Sequence, residues 1–159
     1  MPEVLRQYPK AQLVIVGDGE LRKELEQSAK QLNISHNIHF LGYRDNAAAL
    51  MSSFDIFVHP SRWEGFGLVF LEAMAASLPI IATNVSAIPE IVQNDETGLL
   101  VPVDDSQALS KAICTLLADR DLAKKMGEKG HQRLNQKFTT KAMVEQTSTV
   151  YKKLLSADA

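Results

Sequence analysis

A single cysteine, Cys114, in 159 residues excludes an internal disulfide framework. It lies in Ala112-Ile113-Cys114-Thr115-Leu116, an apolar helical stretch where a small buried thiol is the ordinary reading, and nothing there indicates a catalytic thiol. Charge of one sign is also lacking. With 17 Lys and Arg against 19 Asp and Glu, the net charge of −2 gives no general attraction to nucleic acid. No apolar run approaches the roughly 18 residues of a membrane span, and no basic-then-apolar leader opens the chain, so the expectation is a soluble, cytoplasmic domain. His36, His39, His59 and His131 do not fall into metal-ligand spacing. There is no internal repeat, low-complexity tract or linker, and residues 1–159 read as one domain that buries about 70% of its unfolded surface.

What is present is a regular alternation. Short apolar runs at 13–16, 38–41, 56–59, 80–83 and 99–101 read as strands, and helical patterns fill the intervals at 21–32, 46–53, 67–77, 88–92 and 106–117. Asp45 is positioned as the N-cap of the second of these helices, and Asp104-Asp105-Ser106 cap the fifth. Two further helices are expected at 121–136, interrupted by Gly127 and Gly130, and at 140–155. The pattern predicts an α/β, Rossmann-like doubly wound fold with a mostly parallel sheet of about five strands. Ligands of such sheets bind beyond the carboxyl ends of the strands, where Gly17, Tyr43, His59 to Gly67 and Asn84 to Glu90 fall. Gly17-Asp18-Gly19-Glu20 fails as a dinucleotide fingerprint, because Arg22 stands at the third glycine position and no acid ends the next strand. That disfavours a nicotinamide-dependent oxidoreductase.

The informative stretch is 54–92. Its helix, Gly67-Leu68-Val69-Phe70-Leu71-Glu72-Ala73-Met74-Ala75-Ala76-Ser77, is apolar nearly all round, which predicts burial against the sheet with Glu72 as a lone buried acid in need of hydroxyl donors. Gly65-Phe66-Gly67 lets the backbone turn tightly where unpaired N–H groups of a helix start attract phosphate. Glu72 follows about 7.5 Å along the axis and leans back toward that end. A nucleoside diphosphate carrying a sugar fits: diphosphate on the amides of Leu68 and Val69, ribose on Glu72, sugar hydroxyls on Glu64. Plainer readings stand beside it. Glu64 can be an acid stabilising a helix start or pairing with Arg62, Glu72 can be held by loop amides, and Glu90 can be a first-turn acid. His59, at a strand end facing the cleft, is open between a structural and a site role. The basic lean of the last third, through Lys124, Lys125, Lys129, Arg133, Lys137, Lys141, Lys152 and Lys153, reads first as solvated helix faces and second as a membrane-surface patch.

Glu64-Gly65-Phe66-Gly67-Leu68-Val69-Phe70-Leu71-Glu72 resembles the E-x7-E element of the retaining GT-B glycosyltransferases of group 1 (family 4). Phe57-Val58-His59-Pro60-Ser61, Glu72-Ala73-Met74-Ala75, Pro79-Ile80-Ile81-Ala82-Thr83 and Pro89-Glu90-Ile91-Val92 resemble it as well. The resemblance implies the donor-binding half of such an enzyme, which transfers a sugar from a UDP-, GDP- or ADP-sugar to an acceptor in glycan, polysaccharide or glycolipid synthesis, without a further cofactor or a bound metal. It implies that Glu72 binds ribose and Glu64 contacts the donor sugar and is the catalytic candidate. Gly17 would then line the donor cleft, and Tyr43 and Arg44 would lie beside the base. Two departures stand out: Ser77, where members often have Gly, and Ser86-Ala87, where they have a Gly-Gly pair. Also missing are the amino-terminal acceptor domain, the first strand of this half, and its Gly-Arg…Lys-Gly stretch, whose cations neutralise the diphosphate leaving group. The expectation is a fragment, an excised piece or one half of a split enzyme, inactive or nearly so alone and completed by the acceptor domain in cis or trans. Membrane-surface association would belong to the full enzyme. The alternative is a non-catalytic Rossmann-like module acting as an assembly partner.

Overall fold

A computed structural model describes residues 1–157. Five strands and eight α-helices follow in the expected alternation: α1 (Pro2–Gln7), β1 (Leu13–Val16), α2 (Arg22–Gln31), β2 (Ile38–Gly42), α3 (Ala47–Leu50), β3 (Phe57–His59), α4 (Leu68–Ala75), β4 (Ile80–Thr83), α5 (Ile88–Ile91), β5 (Gly98–Val101), α6 (Ser106–Ala118), α7 (Arg120–Lys137) and α8 (Thr140–Ala157). Among the described residues every strand ladder is parallel, as helical crossovers between strands require, and only the isolated bridge between Gly17 and Gly42 is antiparallel. The strands form two ladders rather than one sheet, β1 with β2 and β3–β4–β5. Leu13 lies opposite Ile38 in the first ladder. In the second, Phe57 lies opposite Ile80, and Ile80 opposite Gly98. Among the described residues no strand hydrogen-bonds the two ladders together.

β4 is the hub of the core. All four of its residues are buried, and the period-two alternation of a strand sends them to two faces. Ile80 and Ala82 join Phe70, Met74, Ile88 and Ile91 under α4 and α5. Ile81 points the other way, into a second cluster with Val101, Ala112, Leu116 and Met126 under α6 and α7. At 18 residues α7 is long enough to serve both, Met126 belonging to the second cluster while Leu134 and Phe138 pack on the first.

Three local expectations need correction. Gly127 and Gly130 do not interrupt α7: both are buried in a continuous helix, and a Cβ at Gly127 would lie 1.9 Å from the Ser77 carbonyl oxygen, so the missing side chain is what lets α7 close on the end of α4. The helix expected at 46–53 is one α-turn followed by the 3-10 turn Met51–Ser53. There the Ser52 hydroxyl competes for backbone by donating to Ala49 O at 2.9 Å. Asp45 is not its cap; Asn46 holds that position without a side-chain bond. The α6 cap is as expected, the Asp105 carboxylate accepting from the N–H groups of Gln107 (3.1 Å) and Ala108 (2.8 Å).

Candidate functional site

Each candidate residue follows the carboxyl end of a strand, and the structure gathers them into two groups. Gly17, at the end of β1, takes a φ of +121° and donates its N–H to Gly42 O at 2.9 Å, which fixes the first loop against the turn that carries Tyr43 and Arg44. Arg22, which breaks the dinucleotide pattern, has a structural task here. Its guanidinium donates to Glu26 (2.9 Å), Asp18 (3.1 Å) and Phe40 O (3.3 Å), tying helix, loop and β2 together. The bonds to Glu26 and Asp18 raise its pKa above the ordinary arginine value. Tyr43 and Arg44 are exposed, free to meet a planar ring.

The second group is built on β3, β4 and α4. Glu64 is half-buried: one carboxylate oxygen accepts the Gly65 N–H at 3.0 Å and the other lies 3.2 Å from His59 Nε2. Ser61 Oγ is 2.8 Å from the same ring nitrogen. A carboxylate only accepts, so its contact with Nε2 requires the proton on that nitrogen. The imidazole lies stacked with Phe57 and edge-on to Phe70, 5.0 Å between centroids, which holds it toward Glu64. Thr83, buried at the end of β4, donates its hydroxyl to Ser61 O and pins the start of the loop. Arg62 does not pair with Glu64; it reaches Asp104 at 2.9 Å. Nor does Glu64 serve the helix start, since its backbone bond is to Gly65.

Gly67 takes the left-handed conformation, φ +73°, at the N-cap of α4, where no side chain accepts from the first turn. A Cβ there would lie 2.6 Å from the Phe70 ring, so only glycine allows this approach. The N–H groups at the start of α4, including those of Leu68 and Val69, are therefore offered outward beside Gly65 and Phe66.

Glu72 corrects the sequence reading. The expected buried acid is exposed. Only Phe70, Ala73 and Met74 of α4 are buried, and the opposite stripe of Leu68, Glu72 and Ala75 faces outward. An all-apolar composition conceals which face is covered. None of the ion pairs among the described residues involves Glu72. Glu72 is thus an open carboxylate on an otherwise apolar stripe, not a buried charge in need of rescue.

The site is an open wall, with Tyr43, Trp63, Phe66 and Leu68 all exposed along it. A cavity of about 740 Å³ lies elsewhere, between α1 and α6, lined by Glu3, Tyr8, Ser110 and Cys114 and touching none of the motif residues. Glu90 is exposed on α5, its N–H donating to Ala87 O at 3.1 Å and its carbonyl accepting from Arg133. Sequence reasoning passed over Ser61 and Thr83 and left His59 undecided. The run Phe57-Val58-His59-Pro60-Ser61 was the available signal, a strand ended by Pro with polar side chains just beyond it.

Parallel strands under helices on both faces are the architecture of one half of a GT-B glycosyltransferase fold, and comparison with known proteins agrees. The model for the family "Glycosyl transferases group 1" matches residues 1–133, and the chain belongs to that family. It is 38% identical to N-acetyl-alpha-D-glucosaminyl L-malate synthase of Bacillus anthracis over 148 residues, 93% of this chain and 39% of that protein. Among solved structures it resembles the C-terminal domain of the glycosyl transferase group 1 family protein LpcC from Francisella tularensis, with a TM-score of 0.78, 34% identity, and coverage of 87% of this chain and 77% of that one. It also resembles Anabaena HepE in complex with UDP-glucose, with a TM-score of 0.86, 28% identity, and coverage of 96% and 44%. The chain spans about two-fifths of the length of the curated relatives it matches. Among the described residues no helix is long and apolar enough to cross a membrane, and no cluster of three or more His, Cys, Asp or Glu could hold a metal ion.

Proposed function

We propose that this chain is the donor-binding domain of a retaining glycosyltransferase, taking a nucleotide-diphospho-sugar and requiring no resident cofactor or metal. Glu72 accepts hydrogen bonds from the ribose diol, and the amides of Leu68 and Val69, with the backbone of Gly65 to Gly67, hold the diphosphate at the start of α4. Glu64 meets the transferred sugar as the catalytic-side acid. Gly17 allows close approach from the first loop, and Tyr43 and Arg44 flank the base. The observation that carries this reading is the placement of Glu64 and Glu72 around the uncapped start of α4, one acid oriented by His59 and the other open and unpaired.

The acceptor domain, the first strand of this half and the cationic stretch belong in this reading to the rest of the enzyme, so the isolated chain transfers sugar negligibly. The separate ladders support it, because in a doubly wound sheet the first strand lies between the second and the fourth. So does α8, which leaves Met143, Val144, Val150, Tyr151, Leu154 and Leu155 exposed for a neighbouring domain to cover. The full enzyme works in the cytoplasm, where it can approach a membrane surface to reach lipid-linked acceptors in glycan synthesis.

Calorimetry with UDP-, GDP- and ADP-sugars tests the proposal. Binding is expected with at least one. Glu72→Ala should weaken it by about 10- to 100-fold, the worth of hydrogen bonds to a charged group, while the unfolding midpoint is unchanged. A folded chain that gives no heat with any of the three donors overturns it.

A further inference from the structure

The glycine-flanked loop that carries Glu64 has an anchor that none of the motifs contains. Phe66 projects from between two glycines and is 47% exposed, yet its ring meets Phe138 edge-on with 6.2 Å between centroids. Phe138 ends α7, far along the chain and beyond the residues the family model covers. The Arg133 guanidinium lies over the Phe138 ring at 5.5 Å. The same guanidinium donates to Ile91 O at 2.9 Å and Glu90 O at 2.6 Å, the carbonyls at the end of α5. One side chain of α7 therefore fastens α5 and braces the ring against which Phe66 rests. Around this contact is a cavity of about 380 Å³, lined by Phe66, Ala87, Glu90, Ile91, Arg133 and Phe138. With that space beside it the loop has no continuous packing on this side, and the ring contact is what spans it.

Resting on the donor reading above, we infer that Arg133 and Phe138 are positioning residues for the donor sugar. Through Phe66 they hold the 64–67 loop, and hence Glu64, at the height the sugar requires, while Glu72, fixed on α4, holds ribose independently of them. Position is divided between two sources. Core packing of α4 sets the nucleotide, and the Arg133–Phe138–Phe66 stack, together with the His59 and Thr83 contacts at the loop's start, sets the sugar. The consequence is a specificity device at a distance: residues at the end of α7 alter how well the sugar is discriminated without touching it.

The test uses Phe138→Leu, which keeps apolar volume against the core but removes the ring, Arg133→Met, which keeps the stem but removes the guanidinium, and Phe138→Tyr as the conservative rescue. Amide exchange at Gly65, Phe66 and Gly67 should speed up in the first two and return toward wild type in the third, with the amides of β4 unchanged. Affinity for a nucleotide sugar should fall about three- to tenfold in Phe138→Leu, the range an aromatic pair is worth, while affinity for the nucleotide alone holds. Wild-type loop exchange in Phe138→Leu overturns the inference, and so does an equal loss of nucleotide and nucleotide-sugar binding. If the wild-type chain binds no nucleotide or nucleotide sugar, the donor reading fails instead, and loop exchange still decides whether the stack holds the loop.

Discussion

β1 and β4 are equally plausible buried strands on paper, Leu13-Val14-Ile15-Val16 and Ile80-Ile81-Ala82-Thr83, yet the structure treats them differently. All four residues of β4 are buried, whereas all four of β1 are only half-buried. The difference is not hydrophobicity, since β1 is the more apolar of the two. β4 lies between two strands and under helices on both faces, with α4 and α5 on one side and α6 and α7 on the other. β1 pairs with β2 alone. Burial is thus set by how many elements converge on a strand, and that separates a rigid half, which carries Glu64 and Glu72, from a looser half, which carries Gly17, Tyr43 and Arg44.

The sharpest way to break this contrast is to truncate the same residue type in each half. Ile81→Ala removes a fully buried side chain from the second cluster, and urea unfolding should register a loss of about 3–4 kcal/mol. Ile15→Ala removes a half-buried one, and about 1–2 kcal/mol is expected. Equal losses would mean that the β1–β2 ladder is covered as well as β4, and the division into halves would be wrong.

Glycine offers a second contrast. At Gly127 a helix-interior alanine gains about 1 kcal/mol of propensity, but its Cβ would lie 1.9 Å from Ser77 O, a backbone atom that cannot rotate away. Overpacking wins at its upper range, and Gly127→Ala should lose about 1–2 kcal/mol net. In the looser half, a Cβ at Gly19 meets nothing within 4 Å and its φ is unexceptional, so Gly19→Ala should stay within about 0.5 kcal/mol. Thermal unfolding of the two variants side by side measures the difference. A Gly127→Ala chain as stable as wild type would show that α7 does not close on α4 through this contact.

The order and kind of nearly every element was legible, because short apolar runs punctuated by Gly, Pro and Asp report local structure directly. What was not legible is what depends on distant partners. The number of ladders, the exposure of Glu72 and the packing role of Gly127 all follow from which surfaces meet, and an apolar helix such as α4 carries no periodic mark of its covered face. Within the candidate site, Glu64 and the glycines were marked by the run Glu64-Gly65-Phe66-Gly67 and its resemblance to a known element. The bonds of His59, Ser61 and Thr83 to that loop join a strand end, a turn and a second strand, a geometry with no sequence period. The Phe66–Phe138 contact is more remote still, joining the loop to the far end of α7.

The smallest effect concerns Ser77, and it tests the rigid half at the end of α4. Leu78 N–H bonds Ala73 O and Ser77 N–H bonds Met74 O, both at 3.0 Å, the paired bonds of a Schellman ending. That ending requires a left-handed residue in the position Ser77 occupies, and Ser77 has a φ of +57°. A side chain in this region costs energy that glycine does not, against which glycine carries a larger entropy loss on folding. The conformational strain is the larger of the two, so Ser77→Gly should stabilise by about 0.5–1 kcal/mol. Because the Ser77 carbonyl is also where α7 closes through Gly127, that gain depends on the intact contact. In a Gly127→Ala background the displaced carbonyl should erase it, and a double-mutant cycle reads the coupling directly. Independent, additive effects would mean that the helix ending and the packing of α7 are separate features of the rigid half.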